Sequence, residues 1–90
     1  MLTAASRKAL KAKAHKLDPV VQIGTKGLTD EVIAEINRAL RSHQLIKVRA
    51  GSLDRDARGE LFASIREKTG AEEVQQVGKV CVIYRRNSDA

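Results

Sequence analysis

Cysteine, proline and aromatic side chains are nearly missing from this chain, and each shortage excludes something. The one cysteine, Cys81, has no partner for an intramolecular disulfide, and no Cys-x-x-Cys pair or Cys/His cluster offers a zinc site. The expected setting is therefore the reducing cytoplasm, with no metal and no cofactor. Phe62 and Tyr84 are the only aromatics, which removes the stacking platforms used by RNA recognition motifs and single-strand binders. No apolar run approaches the roughly 20 residues of a membrane span, and no signal-peptide core follows Met1, so no membrane partner is expected. The stretch up to Leu17 is Ala-rich, basic and acid-poor, in faint imitation of a mitochondrial presequence. It runs straight into Pro19 and an apolar strand, and reads as part of the domain.

Acidic residues are also scarce at one end. Between residues 1 and 26, Arg7, Lys8, Lys11, Lys13, Lys16 and Lys26 face the single acid Asp18, whereas the rest of the chain is nearly balanced. That segment supplies most of the net charge of +6, from 17 Lys and Arg against 11 Asp and Glu. Such a balance points to a polyanionic partner, nucleic acid first. With aromatics lacking, contact is expected to be led by the phosphate backbone. The 90 residues suit one domain, expected over 1–86 with a short tail at 87–90.

What is present follows a regular order. Thr3 caps a predicted helix to about Lys16, with Leu2, Leu10, Ala14 and Leu17 on one stripe and Arg7, Lys8, Lys11 and His15 on another arc. After Pro19, the β-branched run Val20–Ile23 reads as a strand. Thr29 then caps a second helix ending near Ser42 or His43, its buried face Val32, Ile33, Ile36 and Leu40, with Leu28 and Ile33 at hydrophobic-staple spacing. Leu45–Ala50 alternates, with Ile46, Val48 and Ala50 inward and Leu45, Lys47 and Arg49 on a half-exposed basic face. Asp54 or Ser52 starts a third helix with Ala57, Leu61, Phe62 and Ile65 inside and Gly70 as its left-handed end. Val74–Val77 and Val80–Tyr84 flank Gly78-Lys79, the pattern of a type II′ hairpin. The expected fold is a two-layer α/β domain of order αβαβαββ, with a four-stranded mixed sheet and its helices on one face.

One motif stands out for chemistry. Gly24-Thr25-Lys26-Gly27 lies between a strand end and a helix N-terminus, where free backbone N–H groups and the positive dipole end favour phosphate oxygens. Isolated, such a tetrad is usually just a turn; beside a strongly basic segment it gains a phosphate reading, with Lys26 as a point charge at the tip. Lys11, His15 and Lys16 precede the strand that delivers it, and Lys47 and Arg49 on the next strand can extend the patch. His15 and His43 lack partners at metal-ligand spacing, and Cys81 sits mid-strand without a His to activate it. The mixed charges of Asp54–Arg58 read as a solvated helix start. Nothing assembles a nucleophile or a small-molecule site, so an enzyme is not expected.

Several of these segments, in order, resemble the bacterial YhbY-like RNA-binding proteins, whose domain is also called the chloroplast RNA splicing and ribosome maturation (CRM) domain. The carrying stretches are Ala14–Thr29, Leu45–Val48, Val77–Lys79 and Tyr84-Arg85. The resemblance implies a fold similar to the C-terminal domain of translation initiation factor 3. It also implies RNA binding in which Gly24, Thr25, Lys26 and Gly27 act as the glycine loop of KH domains does, with Arg7, Lys11, His15, Lys16 and Lys47 around them. Stand-alone bacterial members look like assembly factors for the large ribosomal subunit, which makes its RNA or a precursor particle the expected partner. The competing expectations are a general DNA-packaging protein and a module that docks on ribosomal proteins.

Overall fold

The computed structural model describes residues 2–24, 26–51 and 53–86. Thr25, Ser52 and the expected tail at 87–90 lie outside the described residues. The elements are α1 (Ala4–Ala14), β1 (Val21–Gln22), α2 (Asp30–His43), β2 (Leu45–Arg49), α3 (Arg55–Thr69), β3 (Glu72–Val77) and β4 (Val80–Tyr84), in the expected order αβαβαββ.

Each helix begins where a short polar side chain takes an orphan N–H. Thr3 Oγ1 accepts from Ser6 N at 3.0 Å, Thr29 Oγ1 from Val32 N at 3.2 Å, and Asp54 Oδ1 from Ala57 N at 2.8 Å. α2 and α3 end on positive-φ residues, Gln44 (φ 61°) and Gly70 (φ 73°). β1 is short, but Val20 N and Ile23 N continue its ladder to the Lys47 and Arg49 carbonyls at 3.1 and 2.8 Å.

The sheet order is β1-β2-β4-β3. β1 and β2 run parallel, and β4 lies antiparallel between β2 and β3. Both crossovers therefore travel across the sheet in one direction, which lands α2 and α3 on the same face. There, Ile36 and Leu40 of α2 and Leu61, Phe62 and Ile65 of α3 bury against Val21, Ile23, Ile46, Val48, Cys81 and Ile83. Val32 and Leu28 pack at its margin, and Ile33 is half-buried.

The placement of α1 corrects the expectation of helices on one face. Ala14 buries with Leu45, Val74 and Val82 on the opposite side of the sheet, with Leu2, Leu10 and Tyr84 packed against them. The handedness of crossovers does not constrain α1, because it precedes the first strand; it covers the apolar residues the other face presents. The molecule thus has three layers. For the same reason Leu45, expected on a half-exposed strand face, is 8% exposed, while Arg49 at the far end of that face is open to solvent.

Two polar devices tie the layers. Arg85 Nη1 donates to Asn37 Oδ1 at 2.7 Å and to the Thr69 carbonyl at 2.8 Å, fastening α2 to the end of α3. Arg66 of α3 pairs with Glu73 of β3 at 3.0 Å.

Candidate nucleic-acid interface

Because β1, β2 and β3 all run the same way, their C-terminal ends share one end of the sheet. That end carries the glycine loop, the 50–54 connection and the Gly78-Lys79 turn. The glycine loop is a tight turn, closed by the Gly27 N–H donating to the Gly24 carbonyl at 3.1 Å. Gly27 needs to be glycine for its own backbone, with φ at +74°. Gly24 does not. It is not in the left-handed region, it is exposed, and a Cβ added there would meet nothing within 4 Å. Nothing in the fold demands a glycine at 24, and its effect is to leave the backbone bare on the outside.

Lys26 is exposed and shares a shallow concavity with Gly24, Gly27 and Thr29. Asp30 and Glu31 line it too, in the first turn of α2. Those carboxylates complement the helix dipole and oppose an anion there. Thr29 already takes the Val32 and Ile33 N–H groups with its side chain and carbonyl. An incoming anion therefore meets favourable charge on the loop side rather than over the helix turn.

The basic residues expected around the loop divide between places. Lys11 of α1, His15 at its C-terminal cap and Lys47 of β2 line one corner between α1 and the sheet. Lys16 turns to a neighbouring groove with Lys13 and His43. Arg7 is exposed on α1.

Arg49, expected with Lys47 as an extension of the patch, reaches the loop end together with Lys79, which lies outside the expected patch. Arg49 pairs with Gln22 on one side and with Val80 on the other, and the Ala50 N–H donates to the Lys79 carbonyl at 2.9 Å. The Arg49 and Lys79 side chains both lie over Gly51: a Cβ there would lie 3.5 Å from Arg49 Nε and 3.7 Å from Lys79 Cδ. Sequence separation concealed this pairing. The signal available was the hairpin turn, which brings Lys79 beside whichever strand pairs with β4.

Comparison with known proteins now decides the family, since the CRS1/YhbY (CRM) domain model matches residues 2–85. The chain belongs to the CRM family. It is 40% identical over 89 residues to an RNA-binding protein of Haemophilus influenzae, covering 99% of this chain and 90% of that one. It is 38% identical over 86 residues to a probable RNA-binding protein of Pseudomonas aeruginosa, covering 96% and 83%. The solution structure of a Staphylococcus aureus protein proposed to bind RNA superposes with a TM-score of 0.82 at 37% identity, covering 96% of this chain and 90% of that one.

Within this CRM domain the cysteine is structural. Cys81 is buried, and its thiol is pushed up to about 12, first by burial and then by the Glu73 carboxylate, whose Oε1 lies 3.9 Å from Sγ. Such a thiol is a core residue rather than a nucleophile. Among the described residues no group of three or more His, Cys, Asp or Glu side chains could hold a metal, and no helix is long and apolar enough to cross a membrane.

Proposed function

We propose that this chain binds RNA through the loop end of its sheet and the adjoining α1 face, and serves as an assembly factor for the large ribosomal subunit. The observation that carries the reading is the bare glycine at Gly24: an exposed backbone that its own fold leaves unobstructed, beside Lys26 and at the same end of the sheet as Arg49 and Lys79. A phosphate can approach such a backbone closely and meet N–H groups and point charges together. The relatives named for RNA binding support RNA as the polyanion.

In this reading Gly24, Thr25, Lys26 and Gly27 grip one or two phosphates. Lys11, His15, Lys16, Lys47 and Arg7 neutralise others along the α1 face. The protein supplies binding and positioning, not chemistry.

Sedimentation of a native cell lysate, blotting for wild-type and Lys26→Glu protein, tests the assignment. Co-migration of the wild type with a large-subunit precursor, and its loss in Lys26→Glu, is the expected result. Free sedimentation of both forms contradicts the ribosomal role, and co-migration with DNA favours a packaging protein.

A further inference from the structure

Large apolar side chains are left exposed on the α1 side of the sheet. Among the described residues these are Leu17, Val20 and Val77, and Val77, at 59%, is the most exposed. Val77 pairs with Val80, and Gln75 with Val82, so these residues share the α1 face and form a floor at its loop end. α1 crosses only part of that face. The step between helix and floor is a corner of about 450 Å³, whose lining includes Lys11, His15, Lys47, Gln75, Val77 and Val80.

The lining combines two unlike chemistries. Its floor is the aliphatic pair Val77 and Val80, the first exposed and the second half-buried, at the loop end of edge strand β3, beyond Val74, which packs in the cluster beneath α1. Its rim carries Lys11, Lys47 and His15 against one carboxylate, Asp18. A purely apolar partner segment would leave those ammonium groups unused, and a phosphate alone would leave the valines wet. A ligand with a flat, weakly polar face attached to an anion satisfies both, and the volume suits a group the size of one nucleotide.

We infer that this corner holds one unpaired nucleotide of the RNA, its base laid on Val77 and Val80 and its phosphate facing Lys11 and Lys47. The inference rests on the proposed RNA binding and adds to it a preference for single-stranded over paired bases, since a base in a duplex cannot leave its stack without cost. Gln75 is half-buried at the edge of the floor, with an amide that can both donate to and accept from a base.

The test compares fluorescence anisotropy for a labelled ten-nucleotide single-stranded RNA and an abasic backbone of equal length and charge. Wild-type protein is expected to bind the RNA at least about fivefold tighter than the abasic strand, the step that burying about 40 Å² of apolar surface on the valines supplies. Val77→Ser, which changes no charge and sits on an edge strand, should lower that ratio by about half. A strand carrying 4-thiouridine should cross-link to residues 75–82 or 11–17. Equal affinity for the two strands, or cross-links confined to α2 and α3, overturns the corner but leaves loop-based RNA binding standing. Failure of the wild type to bind either strand at low salt overturns both.

Discussion

Gly24 and Gly27 look alike in the sequence and differ in what they do. Gly27 needs its positive φ, so Gly27→Ala is expected to cost about 1 kcal/mol in urea unfolding. Gly24→Ala is expected to leave unfolding unchanged and to weaken RNA binding; a fall in stability instead would make Gly24 a folding residue. Arg85 is the reverse case, a basic residue within a recognisable motif whose guanidinium is consumed by Asn37 and Thr69. Arg85→Ala should cost about 2–3 kcal/mol by leaving half-buried acceptors unpaired, and Arg85→Lys should restore only part, since an ammonium cannot span both partners. Cys81 gives a pH signature. Its thiol stays protonated to about pH 12 in the folded chain, against an ordinary value of 9.0. Its contribution to stability is therefore complete below pH 9 and lost as pH rises from there toward 12. Unfolding free energies measured across that range should fall less steeply in Cys81→Ala than in wild type. These distinctions were not legible in the sequence, because they depend on backbone angles and on neighbours far along the chain.

The elements themselves were legible. Thr3, Thr29 and Asp54 are local capping signals, and the β-branched runs and the Gly78-Lys79 turn are local strand and hairpin signals. Sheet order and the side taken by α1 are not local. The insertion of β4 between β2 and β3 brings Lys79 to Arg49, and alternation alone gave Leu45 and Arg49 the same environment although α1 covers only the first. Leu45→Ala measures that cover. It should cost about 2–4 kcal/mol, as for other buried leucines, whereas Lys47→Ala on the same face should stay within about 0.5 kcal/mol. Equal, small losses at both positions would mean that α1 is not seated on the sheet in solution.

At the scale of the whole molecule, an excess of +6 is divided unevenly between the faces. The α1 face and loop end gather Lys11, Lys26, Lys47, Arg49 and Lys79, while Asp30 and Glu31 guard the first turn of α2. In the proposed function this charge, working with the glycine loop, holds an RNA backbone. The most direct measurement is the affinity for a short single-stranded RNA across a series of salt concentrations, for wild type and Lys26→Glu. About five phosphate contacts predict a slope of log affinity on log salt near −3.5, at roughly −0.7 per contact, with Lys26→Glu weaker and shallower by about one contact. A wild-type slope near zero, or a Lys26→Glu curve that overlays it, would contradict the account.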